Sequence, residues 1–163
     1  MVKIMRVDER LLHGQVAVTW VNNLNVGSIL VANDEVATNE MSKMAIQMVK
    51  PNGISLAIKT VEDGIAILND PRTENLNILV LVRTLADALA ITERVETIER
   101  VNVGGVRKKE GAKLVSPAVY LNQADLLNVR EISNIVRDVD FRMTPADSPK
   151  TGKQILEQYL EEE

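Results

Sequence analysis

The sequence predicts an α/β protein: a single open, mostly parallel twisted sheet with helices on both faces. Three observations predict it. Short β-branched runs alternate with amphipathic stretches along almost the whole chain. Several runs, such as Ile78-Leu79-Val80-Leu81-Val82, are apolar at every position, as strands buried on both faces require. Thr38, Thr60, Thr84 and Asn122 stand where helix N-caps are expected.

Taken in order, Val2–Val7 reads as the first strand and Gln15–Leu24 as the first helix. Val16, Trp20 and Leu24 recur there at fourth-residue spacing as a buried stripe, with Asn22 and Asn23 turned to water. The next strands and helices are Ser28–Val31, Asn39–Val49, Ser55–Ile58, Val61–Leu68, Ile78–Val82, Leu85–Glu93 and Arg100–Val103. The alternation breaks between Arg100 and Leu121, where no helical pattern separates the strands. Gly104-Gly105 and Lys108-Lys109-Glu110-Gly111 are turn-like, which predicts a hairpin and one antiparallel strand near residues 113–120, with Val115–Tyr120 as the strand. Helix Gln123–Val136, strand Asp140–Met143 and helix Lys150–Tyr159 complete the chain. No linker or internal repeat divides it, so residues 1–163 read as one domain, and Glu161-Glu162-Glu163 reads as a solvated tail.

Composition narrows the function. A length of 163 residues with 45% apolar and 26% charged residues is an ordinary globular composition. The aromatic residues are Trp20, Tyr120, Phe141 and Tyr159, so the core is aliphatic and base stacking on nucleic acid is not expected. A net charge of −4 offers no basic footprint for DNA or RNA. With no cysteine and one histidine, thiol catalysis, disulfides and thiolate metal sites are excluded and no metal site is expected. No apolar run approaches the ~20 residues of a membrane span and no signal-peptide pattern opens the chain, so a cytoplasmic location is expected.

Other phosphate and catalytic motifs fail. Thr151-Gly152-Lys153 resembles the end of a phosphate loop but lacks the upstream glycine, and reads better as a helix start. Gly104-Gly105 lacks the third glycine and following helix of a dinucleotide site. No serine sits in a nucleophile elbow, and no loop spaces carboxylates as a calcium site does.

The lone histidine stands in Asp8-Glu9-Arg10-Leu11-Leu12-His13-Gly14-Gln15, between the first strand and the first helix. Such loops bind anions, because unpaired N–H groups point outward at the helix start. A neutral imidazole keeps one nitrogen lone pair and is a competent phosphoryl acceptor near pH 7. Arg10 can offer a bidentate guanidinium, and the N–H groups around Gly14 and Gln15 can cradle phosphoryl oxygens. Asp8 can orient His13 or Arg10, or simply cap loop N–H groups. Leu11 and Leu12 read as core anchors or a greasy patch for a partner. Asn33, Asp34, Arg83 and Thr84 lie near strand carboxyl ends, where they can flank the site, although loop capping explains them better.

The run Arg6-Val7-Asp8-Glu9-Arg10-Leu11-Leu12-His13-Gly14-Gln15-Val16 closely resembles the active-site motif of the IIB components of the mannose/fructose/sorbose family of the bacterial sugar phosphotransferase system. The resemblance continues through Val31-Ala32-Asn33-Asp34, Val101-Asn102-Val103-Gly104-Gly105 and Phe141-Arg142-Met143-Thr144-Pro145 and covers essentially the whole chain. It implies an open, mainly parallel sheet, and a phosphotransferase without a cofactor. It also implies that His13 takes a phosphoryl group on Nδ1 from a phosphorylated IIA protein. The group then goes to a sugar bound by the membrane components IIC and IID, with Arg10 contacting it on the way. The partners expected are therefore IIA, IIC/IID and a hexose or amino sugar, with a weak lean to N-acetylgalactosamine. The chain has no IIA domain, so the donor is expected to be a separate polypeptide. The protein is expected at the inner face of the membrane through IIC/IID, without inserting itself. The rival readings are a non-catalytic phospho-ligand module and a regulatory α/β domain. The first would need a built-in ligand pocket, and the second would carry remnants of flanking domains.

Overall fold

Ile78–Val82 is apolar at both parities because both faces of that strand are buried, and the same holds for most of the sheet in this computed structural model. It describes residues 1–161, with the side chain of Val16 outside the description. The elements are β1 (Val2–Asp8), α1 (Gly14–Leu24), β2 (Ser28–Ala32), α2 (Asp34–Ala37), α3 (Glu40–Met48), β3 (Ser55–Lys59), α4 (Val61–Leu68), β4 (Ile78–Val82), α5 (Leu85–Arg94) and β5 (Arg100–Gly105). There follow β6 (Lys113–Ser116), β7 (Val119–Leu121), α6 (Gln123–Ile135), β8 (Asp138–Phe141), β9 (Lys150–Thr151) and α7 (Gly152–Tyr159).

Seven strands form one sheet in the order β3-β2-β4-β1-β5-β8-β9, parallel except for β9. Two apolar clusters cover it. On one face α1, α2 and α3 bring Trp20, Val21, Val36 and Ile46 onto Ile4, Ile29, Val31, Leu79 and Leu81. On the other, α4 to α7 pack Ile65, Ile91, Ile132 and Ile155 against Met5, Val7, Val80, Val82 and Val103. Strand residues thus alternate between two cores rather than between core and water. The chain leaves β1 across the first face through α1, and returns from β4 to β5 across the other through α5. The winding reverses at β1, and its carboxyl end opens into the crevice where such folds bind ligands.

The predicted strands and helices are present with small changes of boundary, and three readings need correction. Thr38 does not cap α3: its neighbour Asn39 does, accepting the Ser42 N–H, because Thr38 ends the unpredicted short helix α2. Val115–Tyr120 is not one strand but two, since Ala118 turns the chain at φ 65 and folds β7 back on β6. That antiparallel hairpin stands beside the main sheet, joined to it by a bridge between Val106 and Val119. Lys150–Thr151 pairs with β8 before the last helix begins, so α7 starts at Gly152 with Thr151 as its cap. Trp20 is buried and Leu24 half-buried, as the α1 stripe requires, while Val16 of that stripe lies outside the described side chains. Of the acidic tail, Glu161 is exposed, whereas Glu162 and Glu163 lie outside the described residues. Among the described residues no helix is long and apolar enough to cross a membrane.

Candidate active site

Past a register shift between Val2 and Ile4, alternate residues of β1 face α1, so Ile4, Arg6 and Asp8 project to the same side while Val2 joins the opposite cluster. Ile4 joins the apolar cluster there; Arg6 and Asp8 are charged and fully buried. Register explains how they are tolerated. Arg6 pairs with Asn102 on β5, and Asn102 with Asp140 on β8, so three polar side chains lie in a row across neighbouring strands. Arg6 Nη1 donates to Asn102 Oδ1 at 2.5 Å, and Asn102 Nδ2 donates to Asp140 Oδ1 at 2.6 Å and to the Arg142 carbonyl at 3.1 Å. Arg6 Nη2 turns to Asp8 Oδ2 at 3.1 Å. Trp20 covers the row: the Arg6 and Arg142 guanidinium carbons lie 5.6 and 5.4 Å from its ring centroid, and its Nε1–H donates to the Met143 carbonyl at 2.9 Å.

Gly104 and Gly105 make room for this arrangement. A Cβ at Gly104 would run into the Arg6 guanidinium, and one at Gly105 would come within 2.8 Å of Asp8 Oδ1. Any side chain at either position would displace a buried charge from its partners.

The loop after β1 is folded back onto Asp8. Leu11 donates its N–H to the Asp8 carbonyl at 2.9 Å and adopts a left-handed φ of 57. That conformation costs about 1–2 kcal/mol for a non-glycine residue. Leu11 and Leu12 are buried in the α1-side core, and each burial returns about 1.5–3 kcal/mol, so anchoring outweighs strain. Arg83 Nε donates to the Glu9 carbonyl at 3.1 Å and Glu9 donates its N–H to the Gly105 carbonyl at 2.9 Å, which fixes the loop from both neighbouring strands.

On this loop Asp8 gathers the predicted residues around one carboxylate. His13 Nε2 lies 2.9 Å from Asp8 Oδ2, while Asp8 Oδ1 accepts the Arg10 N–H at 2.9 Å and Arg10 Nε at 3.4 Å. Burial alone would raise the Asp8 carboxyl, but hydrogen bonds from His13 and the Arg10 N–H, with the Arg6 charge, hold it down at about 2. An ionised carboxylate can only accept, so Nε2 of His13 carries its proton and the neutral ring keeps its lone pair on Nδ1. The imidazole is 22% exposed, enough to be reached from outside.

The low Asp8 value also predicts acid behaviour. A carboxyl at about 2 when folded and at its ordinary 3.8 when unfolded stabilises the fold by about 2 kcal/mol above pH ~4. That contribution should disappear as the pH falls through about 2. Denaturant melts between pH 5 and 2 should show a smaller loss of stability in Asp8→Asn than in the wild type.

His13 is also the N-cap of α1, yet its side chain makes no capping bond and no acidic residue occupies the first turn. Helices α2 to α7 each have a side-chain oxygen at this place. The first N–H groups of α1, at Gly14 and Gln15, therefore stand beside the imidazole without a side-chain cap, with Gly14 at φ +42. Asp34 stands elsewhere: its Oδ1 accepts the Val61 N–H at 2.9 Å and ties α2 to α4. Asn33 and Thr84 cap α2 and α5. Sequence reasoning gave no role to Arg6, Asn102, Asp140 or Arg142. The available signal was a charged residue inside the apolar run of β1, where only a satisfied charge can be buried.

Between this loop and the β6–β7 hairpin lies a cleft of about 550 Å³, with Arg10, Arg107 and Lys108 on its walls and Val106, Ala118, Tyr120 and Met143 among its lining. Arg107 Nε reaches Glu9 Oε2 at 2.6 Å across its mouth.

Residues 2–163 match a family described as the sorbose-subfamily IIB component of the phosphotransferase system. A probable phosphotransferase enzyme IIB component of Streptococcus pyogenes is 39% identical over 162 residues, 96% of this chain and 99% of that protein. The mannose-specific EIIAB component of Escherichia coli is 33% identical over 141 residues, covering 83% of this chain and 44% of that longer protein. Among solved structures, an N-acetylgalactosamine-specific IIB component from Escherichia coli superposes with a TM-score of 0.84 at 27% identity, covering 92% of this chain and 98% of that one. The IIBSor domain of the sorbose permease from Klebsiella pneumoniae has the same fold, with a TM-score of 0.91 at 24% identity over 98% of each chain.

Proposed function

The chain belongs to the sorbose subfamily of phosphotransferase-system IIB components, and on that premise we propose that it is a phosphocarrier using Nδ1 of His13. IIB components of this family are phosphotransferases of sugar transport, and this chain is one of them. The observation that carries the residue assignment is the Asp8–His13 hydrogen bond, since it leaves Nδ1 as the nucleophile. The Nδ1 lone pair attacks the phosphorus of a phosphohistidine on a IIA protein. The donor's N–P bond breaks as the new one forms, and the Nε2 proton stays on the ring, held by Asp8. The Asp8 carboxylate then stabilises the imidazolium character of the phosphorylated ring.

Arg10 and the uncapped N–H groups at Gly14 and Gln15 meet the charge of the phosphoryl group. Catalysis is positioning and charge stabilisation, with no cofactor or metal at the transfer step. Asp34 supports the site indirectly by fixing the turn after β2. Residues 1–163 act as one IIB unit at the cytoplasmic face of the membrane. They pass the phosphoryl group to a hexose or amino sugar presented by IIC/IID, and IIC/IID bind its hydroxyls. The N-acetylgalactosamine-specific and mannose-specific relatives fit that substrate class.

Incubation with phosphorylated IIA of this family followed by intact-mass measurement tests the proposal. One phosphoryl group, stable in alkali and lost in acid, is the expected product. No added mass, or an acid-stable group, contradicts it.

A further inference from the structure

Residues 107–113 carry Arg107, Lys108, Lys109 and Lys113 against the single carboxylate of Glu110, in a chain whose net charge is −4. The loop runs from the end of β5 to the hairpin, and its Arg107 and Lys108 line the cleft together with Asp8, Glu9 and Arg10 at the base of the His13 loop. Lys109 is held by Asp125 at 2.6 Å, while Lys108 and Lys113 are exposed with no ion pair among the described residues. Arg107 is 85% exposed, and its carboxylate partner Glu9 belongs to the His13 loop itself. The basic charge therefore borders the place where phosphoryl transfer is proposed. Behind it the cleft is concave and partly apolar, with Tyr120 and Met143 in its lining.

We propose that this basic loop and the cleft it walls form the docking surface for the phosphoryl donor protein, whose matching face is acidic. The inference rests on the reading of His13 as phosphoryl acceptor. On docking, Arg107 and Lys108 meet carboxylates around the donor's phosphohistidine, and Tyr120 and Met143 receive an apolar side chain. Complementary charge of this kind raises the encounter rate and orients the donor more than it tightens the complex, which suits a relay. A protein fits better than an anionic lipid surface. The cleft is concave and the basic loop is confined to its rim, which suits the relief of a protein better than a broad, flat anionic membrane surface.

The test is the second-order rate of transfer from phosphorylated IIA, measured over a range of salt. In the wild type the rate should fall as salt rises. Arg107→Glu/Lys108→Glu should lower it about tenfold or more at low salt and remove the salt dependence, and the double glutamine variant should fall between. Lys153→Glu lies at the other end of the molecule, beside the start of β8, and should transfer at the wild-type rate. Phosphoramidate, a donor with no protein face, should still label His13 of the reversed variant to completion. Loss of that label would show that the loop acts on the site itself and would overturn the proposal. Wild-type rate and salt dependence in the reversed variant would also overturn it. So would loop-dependent binding to phosphatidylserine vesicles with transfer unchanged, which would assign the surface to lipid. If the wild-type protein takes no label from phosphorylated IIA, the reading of His13 fails first and the docking inference fails with it.

Discussion

His13→Ala should take no acid-labile phosphoryl group from phosphorylated IIA, while its fold and melting behaviour stay close to wild type. It is the single histidine in the chain, so no second imidazole can substitute. The chemistry disappears with the side chain rather than slowing by a factor. Structural damage should be small, because the imidazole is partly exposed and makes no capping bond to α1. Asp8 loses one partner but keeps Arg6 and the Arg10 N–H, so its buried carboxylate remains compensated. Intact-mass spectrometry after incubation, beside circular dichroism, checks both halves. Label persisting on His13→Ala would move the reaction elsewhere.

Arg10→Lys should slow transfer by an amount equivalent to about 2–4 kcal/mol of barrier, as removing one oxyanion donor does. Arg10 is half exposed and is held at Asp8 through its main-chain N–H and through Nε, and no hydrogen bond among the described residues engages its Nη atoms. It can therefore keep its place while presenting the outer edge of a planar guanidinium to two phosphoryl oxygens. Lysine keeps the charge and the main-chain bond but loses the fork. Folding should change little, since the surface part of the Arg10–Asp8 pair is solvent-screened. Rapid-quench transfer rates for Arg10→Lys and Arg10→Ala give the test, and wild-type rates in both would make Arg10 a bystander.

The parallel sheet was legible because strands buried on both faces are written as uninterrupted apolar runs. Helix starts were legible where a Thr or Asn stands alone before an amphipathic stretch, as at Thr60, Thr84 and Asn122. At Thr38-Asn39 two capping residues are adjacent, and the choice between them depends on α2, a four-residue helix too short to show a period. The β6–β7 hairpin was blurred because its turn places Ala118, not glycine, in the left-handed region. The His13 loop could be found because imidazole, guanidinium and glycine stand within a few residues of one another. The support beneath it could not, because Arg6, Asn102, Asp140 and Arg142 come from three strands and the segment after β8. Only parallel register brings the first three of these into one row. That row explains why a charged residue is tolerated in β1, and it holds Asp8 where His13 needs it.

The most direct measurement is the position of the phosphoryl group on the His13 ring, read by nitrogen and phosphorus NMR of the phosphorylated, ¹⁵N-histidine-labelled protein. A ring whose Nε2 proton is held by the Asp8 carboxylate must be phosphorylated on Nδ1, with Nε2 still protonated in the product. Phosphorylation on Nε2 would require that hydrogen bond to break, and would contradict the account.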